Sequence, residues 1–182
     1  MITKLFKIIT VSIVCLFMVS CSEDEEIRNL GENGFTTNSE FYVLNNASVD
    51  DENIVDATPS DISLTLSNVN LADSTAVSNI TKLHLKFNGI ALEEGTITVF
   101  SEYSIQIDGA YVQDAPDSET YTYVDGTFLL DSSQAGLNAT ETTVTINSVT
   151  ETEISLNFSF TRSDGQTFTG IYTGLYSDLS GT

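Results

Sequence analysis

The residue types that carry most catalytic chemistry are scarce in this chain, which has one His, two Cys and no Trp. Any Ser-His-Asp or Cys-His arrangement would have to use His84 as its base. His84 lies between Lys82 and Lys86 in an alternating segment, and neighbouring positive charges lower the proton affinity of an imidazole. We therefore expect His84 to lie on the solvated face of a strand and to have no catalytic role.

Lys82, His84 and Lys86 would together form a cationic stripe on a strongly acidic chain. One use for the stripe is cross-strand pairing with acidic neighbours, each pair contributing under ~1 kcal/mol. The other is a docking point for an acidic glycan or for the chain's own acidic N-terminal segment. We favour the pairing, because acidic partners are abundant.

Two acidic clusters could supply oxygen ligands to Ca²⁺. The first is Asp50-Asp51-Glu52 with Asp56, and the second is Asp114 and Asp117 with Glu119. Both lack the Gly of the D-x-[DN]-x-[DN]-G spacing, which favours loops of solvated carboxylates. We predict no bound metal and no cofactor. Composition leaves open a glycosidase pair, since any two carboxylates could face each other across a cleft.

Tyrosine is the best candidate for stacking against a ligand, because the chain has no Trp. Tyr121 and Tyr123 are two residues apart and so share one face of a strand. With Tyr111 they are the candidate ligand-stacking residues. The alternative is ordinary packing, which is what Tyr on half-buried strands usually does.

The elements that must position these residues are strands. From Phe35 onward Thr, Ser, Val, Ile, Phe and Tyr dominate, Pro occurs only at Pro59 and Pro116, and apolar residues alternate with period two. The pattern predicts an all-β domain over residues 35–182, a single antiparallel β-sandwich or flattened barrel of roughly ten short strands. The clearest strands are Asp61–Val69, Thr81–Phe87 and Glu153–Thr161.

Less regular segments complete the prediction. The weaker strand candidates are Glu40–Leu44, Thr96–Ser101, Ser104–Asp108, Ala110–Gln113, Thr120–Val124, Thr127–Leu130, Thr142–Val149 and Thr167–Thr173. Turns are expected at Glu94-Gly95, Asp108-Gly109, Asp125-Gly126 and Asp164-Gly165. A single helical turn is expected near Ser74–Asn79.

The last hairpin can be specified in register. A three-residue loop, Ser163-Asp164-Gly165 with the glycine in the left-handed conformation, pairs Phe160 with Phe168 and keeps the apolar side chains on one face. A two-residue Asp-Gly turn would mix polar and apolar side chains on each face. We therefore predict the three-residue loop, with Gly170 opposite Phe158 so that the ring has room.

The N-terminal 20 residues have the pattern of a signal peptide. Lys4 and Lys7 precede the mostly apolar run Ile8–Val19, which as a helix would span roughly 18 Å, too short for a ~30 Å hydrocarbon core. The run ends at Met18-Val19-Ser20-Cys21, which resembles the lipobox of bacterial lipoproteins. The resemblance implies that 1–20 is removed and that Cys21 becomes the lipidated (palmitate-bearing) first residue.

Residues 21–34 are interpreted as a lipidated acidic tether, poor in apolar side chains. After Cys21 come Ser22, Glu23, Asp24, Glu25 and Glu26, a pattern that resembles the export signal of Bacteroidota lipoproteins placed on the outer face of the outer membrane. The segments FTTNSEFYVLNNA and ISLNFSFTRSDGQTFTGIYTG also resemble uncharacterised Bacteroidota lipoproteins. The resemblance implies a lipid-anchored, outward-facing β-domain and no known activity.

The charge balance restricts the partners. With 26 acidic against 6 basic side chains the formal net charge is −20, which argues against nucleic-acid binding and against docking onto anionic lipid. We expect a non-catalytic cell-surface lipoprotein whose domain binds or scaffolds an extracellular glycan or protein partner. The alternatives are a carboxylate-based glycan-active enzyme and an accessory subunit of a larger outer-membrane complex.

Overall fold

The computed structural model describes residues 31–52, 58–72 and 75–181. Twelve β-strands and no α-helix lie in these ranges: β1 Gly34–Thr37, β2 Glu40–Val43, β3 Asn46–Asp51, β4 Ser60–Ser67, β5 Val77–Gly89, β6 Gly95–Ile97, β7 Glu102–Gln113, β8 Tyr121–Val124, β9 Thr127–Asp131, β10 Ala139–Val149, β11 Glu153–Arg162 and β12 Thr167–Asp178. Within the same ranges, no helix has the length and hydropathy needed to cross a bilayer. The predicted signal peptide and the segment 21–30 lie outside the described residues.

The predicted all-β class is confirmed, but the sheet is mixed. The main strand order is β6-β10-β11-β12-β3-β4-β5-β7-β8; in addition β1 pairs with β12, β2 pairs with β1, and β9 pairs with β7. All pairs are antiparallel except β12 with β3. The reason is the two-residue link Leu44-Asn45: β2 already runs parallel to β12, because both are antiparallel to β1, and β3 continues in the direction of β2. The expectation of a purely antiparallel sheet is therefore wrong at this pair.

Strand β12 joins two halves of a curled sheet. Its first nine residues pair with β11, and its last three pair with β3. The apolar sides of the two halves form one core, in which the Tyr103 ring of β7 stacks on the Phe160 ring of β11 with centroids 5.9 Å apart. Thr98 and Ser101 lie between β6 and β7. Thr142 Oγ1 of β10 donates to the Thr98 carbonyl, and Ser101 N–H donates to the Lys86 carbonyl of β5. The segment between β6 and β7 thus links the two halves a second time.

The last hairpin has the predicted register. Phe160 pairs with Phe168 and Phe158 with Gly170, and Gly165 has a φ of 88°. A Cβ on Gly170 would collide with the Phe158 ring. The buried side chains of β11 alternate with exposed Asn157 and Ser159. The apolar pattern was sufficient to predict this register, because one face of β11 lies in the core and the other is exposed.

Two predicted turns are wrong. Asp108-Gly109 lies inside the continuous strand β7, and Asp125-Gly126 lies between β8 and β9, which both pair with β7. A Cβ on Gly126 would collide with the backbone at Ile107 and Asp108, so the two Asp-Gly pairs lie against each other. Asp108 has a φ of 59° and interrupts the ladder without reversing the chain. The left-handed conformation, which is common in Asp-Gly turns, here produces a local irregularity within paired strands and not a reversal of the chain.

The remaining differences concern short or polar strands. β1 and β3 were not predicted, and Val77–Asn79, expected in a helical turn with Ser74, belongs to β5, whereas Ser74 lies outside the described residues. Asn33, assigned above to the tether, accepts from Thr173 N–H at 2.8 Å and donates to the Thr173 carbonyl at 2.9 Å. Asn33 is thus hydrogen-bonded to β12 within the compact unit Gly31–Thr182.

Candidate functional site

A groove of about 730 Å³, which we call the amide groove, lies at the junction of β12 with β3. Its lining comprises Asn33, Asn45, Asn46, Ala47, Ser48, Thr65, Ser67, Asn70, Leu71, Ala72, Thr152, Tyr172, Gly174, Leu175, Tyr176, Ser177 and Leu179. Four amides and several hydroxyls are present, and no charged side chain is among these described residues. An uncharged concavity stands out on a chain with a formal charge of −20.

The floor of the amide groove is the outward face of β3 and β4. Alternation places Ala47 and Val49 in the core, so Asn46 and Ser48 project from the opposite face. Ser48 is opposite Thr65 on β4 and opposite Ser177 on β12, which brings three hydroxyl side chains side by side. Backbone pairing on both sides of β3 holds these groups in fixed positions.

One wall of the amide groove is the loop that follows β4. Asn68 fixes the start of this loop, because its side-chain oxygen accepts from Thr81 N–H at 2.9 Å and its side-chain nitrogen donates to the Asn79 carbonyl at 2.9 Å. Asn70 Oδ1 accepts from Ala72 N–H at 3.1 Å. These bonds hold the described part of the loop beside β3 and β4.

The opposite wall is the C-terminal half of β12. Tyr172 is fully buried and its hydroxyl donates to the Leu175 carbonyl at 2.6 Å, while burial raises the pKa of the phenol. Tyr176 donates from its hydroxyl to the Thr150 carbonyl at 2.9 Å. Leu175, at 67% exposure, offers an apolar surface beside the two anchored rings. The wall is thus rigid and partly apolar.

Two asparagines of the amide groove keep their hydrogen-bonding capacity. The side chains of Asn45 and Asn46 make no hydrogen bond to any other described residue, whereas Asn33 uses both ends of its amide on Thr173. Asn45 is exposed and Asn46 half-buried. A free carboxamide offers two donors and two acceptor lone pairs. Asn45 and Asn46 are therefore the groups best placed to bind a polar ligand.

The tyrosines singled out from sequence lie next to this region. Tyr111 and Tyr123 are in edge-to-face contact with ring centroids 5.2 Å apart, and Lys82 Nζ lies 4.4 Å from the Tyr123 ring centroid. Tyr121 lies opposite Gln113, two residues along β8. Ligand stacking by the three tyrosines stays a prediction, although part of the Tyr123 ring is already used in packing.

A buried polar network lies beneath these rings. Gln106 is fully buried, accepts a hydrogen bond from the Tyr123 hydroxyl and donates to Asp125 at 3.0 Å. Burial, followed by the charge of Asp125, raises the pKa of Tyr123 to about 12. The Tyr111 hydroxyl reaches the Leu71 carbonyl at 3.4 Å. Tyr111 therefore contacts the loop that forms one wall of the amide groove, and Tyr123 packs against Tyr111.

His84 is half-buried, which corrects the expectation of a solvated position. Its Nδ1 lies 3.1 Å from Thr65 Oγ1, and it is opposite Ser104 on β7. The pKa of His84 is lowered mainly by burial, with the charges of Lys82 and Lys86 as smaller causes. The lowered proton affinity was predicted correctly, but from a secondary cause.

Lys86 and Lys82 differ in their partners. Lys86 Nζ lies 2.9 Å from Glu52 and 3.0 Å from Asp61, and hydrogen bonds to both carboxylates raise its pKa. This confirms acidic pairing for one lysine of the stripe. Burial lowers the pKa of Lys82, which packs over Tyr123.

The described residues of the acidic clusters lie in strands and in hydrogen-bonded loops. Asp50 and Asp51 belong to β3, and Asp51 accepts a hydrogen bond from Ser60 Oγ at 2.8 Å. Their expected position in a solvated loop is therefore wrong, while Asp56 lies outside the described residues. Asp114 accepts from Thr122 Oγ1 at 2.6 Å, which lowers the pKa of its carboxyl. No group of three or more His, Cys, Asp or Glu in the described ranges is arranged to hold a metal ion.

A second cavity of about 370 Å³ lies beside β6. Its lining includes Phe87, Ile97 and Val99, together with the carboxylates Glu93 and Glu94. It is smaller than the amide groove and less rich in amides, so it is the weaker candidate for a polar ligand.

No family model, curated protein or solved structure matches this chain. Sequence reasoning missed the amide groove, whose one local signal was the recurrence of asparagine in Asn45-Asn46 and at Asn68 and Asn70. Those segments meet through the antiparallel pairing of β3 with β4, and the parallel pairing of β3 with β12 adds the second wall.

Proposed function

We propose that this protein is a non-catalytic lipoprotein of the bacterial outer membrane, lipid-anchored through Cys21 and facing the cell exterior, whose β-domain binds an extracellular glycan or protein. The amide groove is its binding site in this proposal. The observation that carries the proposal is a preformed groove with free amides and without a charged side chain among its described lining residues. Such a lining suits recognition by hydrogen bonds and offers no carboxylate pair for acid–base cleavage.

The competing proposal is a hydrolase, and one contact favours it. Thr65 lines the amide groove and lies within hydrogen-bond reach of His84, the pairing expected of a nucleophile with its base. The lowered pKa of His84 keeps its imidazole neutral at pH 7. A His84→Ala variant separates the two proposals: a hydrolytic activity of the wild type that this substitution abolishes would establish an enzyme.

The binding function is tested by capture. Full-length protein is used to pull down material from surface-labelled cells, with and without added glycans, and is compared with Ser48→Tyr, which fills the groove floor. We expect Ser48→Tyr to lose the captured ligand while its thermal melt stays close to the wild type. Equal capture by the two proteins would contradict the groove as the binding site.

The location is tested separately. Cys21→Ser should abolish lipidation, and replacing Glu23–Glu26 with Ala should leave lipidation intact but reduce surface display. Protease added to whole cells reads out the exposed domain. Full protection of the wild-type domain would contradict the outward-facing location.

A further inference from the structure

We infer that the ligand of the amide groove is a neutral oligosaccharide, bound through the free carboxamides of Asn45 and Asn46. This inference rests on the proposed binding function and names the chemical class of the ligand. It places recognition in the groove rather than on the rings of Tyr111, Tyr121 and Tyr123.

Charge selects against ionic ligands. An anionic ligand approaching a chain of formal charge −20 is repelled, and the described lining has no Lys or Arg to compensate. A cationic ligand is attracted by the net charge but finds no carboxylate within the described lining to pair with. A neutral polyol is not repelled and needs no charged partner, so it suits this lining.

The donor and acceptor pattern fits a sugar. Each free carboxamide can donate to one hydroxyl and accept from another, and Ser48, Thr65 and Ser177 add hydroxyls in a row between the two walls. Leu71 on one wall and Leu175 on the other provide apolar surface for the C–H faces of sugar rings. A volume of about 730 Å³ lies within the range of small-molecule sites.

The strand pairing argues against an extended peptide in the same place. A peptide that adds a strand needs an open sheet edge. β3 lies between β12 and β4, and β4 lies between β3 and β5, so the groove floor presents side chains and not a free edge. Recognition in the groove must therefore come from side chains, which is the mode that a polyhydroxyl ligand uses.

The test is calorimetric titration of the full-length protein, solubilised in a detergent without a sugar headgroup. The probes are maltohexaose, cellohexaose, xylohexaose and mannohexaose, with hexagalacturonate as the charged comparison. We expect at least one neutral probe to bind with a dissociation constant below about 1 mM, and hexagalacturonate to bind at least tenfold more weakly. Asn45→Ala and Asn46→Ala should each weaken binding about tenfold, because each removes hydrogen bonds to the ligand.

Asn157→Ala is the matched control, since Asn157 is an exposed asparagine on β11 outside the groove. It should bind within twofold of the wild type. Absence of binding by all four neutral probes, preference for hexagalacturonate, or unchanged binding by Asn46→Ala would overturn the inference. If the neutral probes fail while Ser48→Tyr still loses the captured material, the sugar assignment is wrong and the binding function stands. If Ser48→Tyr also captures normally, both are wrong.

Discussion

The pKa of His84 measures how deeply this residue is buried. It is the chain's single histidine, so its ring proton resonances can be assigned without ambiguity. Burial in the middle of β5 lowers its pKa, and we therefore expect an NMR titration to give a midpoint below the ordinary value of 6.5. Because the unfolded chain then binds the proton more readily, this residue should reduce stability as the pH falls from above 6.5 toward its folded pKa. A midpoint at or above 6.5 would contradict the half-buried position.

Phe160 and Asn157 test the two faces of β11. Phe160 is fully buried and contacts the rings of Tyr103, Phe100 and Phe158 at centroid distances of 5.9, 6.2 and 6.0 Å. Phe160→Ala should cost roughly 3–5 kcal/mol, a large part of a typical stability. Asn157→Ala, on the exposed face, should cost under ~1 kcal/mol. Urea unfolding measures both variants, and comparable losses would show that β11 is buried on both faces.

At the scale of elements, strict alternation predicts a strand only where one face is apolar. β11 and β5 satisfy that condition, so their faces were predictable from sequence. β3 reads Asn-Ala-Ser-Val-Asp-Asp, and its two small or medium apolar residues give a weak signal. Asp108-Gly109 has the sequence of a turn, but it lies inside strand β7, where the backbone packs closely against Gly126.

Gly170 tests the register of the last hairpin. A side chain there would meet the Phe158 ring of β11 and the Gly34 carbonyl and Phe35 Cβ of β1, the two strands that pair with β12 at this point. Gly170→Val should therefore cost about 3 kcal/mol or prevent folding. Thr169→Val, at the exposed neighbouring position, should change stability by under ~0.5 kcal/mol. Thermal melts compare the two variants, and a harmless Gly170→Val would contradict the three-residue loop.

Asp164 gives the same hairpin a pH dependence. Its ion pair with Arg162, followed by a backbone hydrogen bond from Gln166, lowers the pKa of its carboxyl to about 2. The stabilisation is complete above the unfolded value near 4 and is lost as the pH falls toward 2. Asp164→Asn should be less stable at pH 7 and should lose less stability between pH 4 and pH 2. Chemical denaturation at each pH measures this, and identical pH profiles would rule out the pair as a source of acid sensitivity.

At the scale of the whole molecule, the fold class was predictable and the site was not. Alternation and turn chemistry are local, and they identify strands one at a time. The amide groove combines Asn45-Asn46, the loop after β4 and the C-terminal half of β12, which are separated by up to about 130 residues. The antiparallel β3–β4 pair places the loop after β4 beside Asn45-Asn46, and the parallel β3–β12 pair adds β12. A parallel register has no turn to reveal it in the sequence.

The most direct test of the central claim is an NMR titration of the isotope-labelled protein with each of the four neutral hexasaccharides. If the amide groove binds a sugar without cleaving it, the side-chain amide signals of Asn45 and Asn46 and the backbone signals of 46–48 and 175–177 should shift. The signals of Tyr121–Val124 should stay in place, and the oligosaccharide should be recovered intact. Shifts confined to Tyr111, Tyr121 and Tyr123, or cleavage of the sugar, would contradict the account.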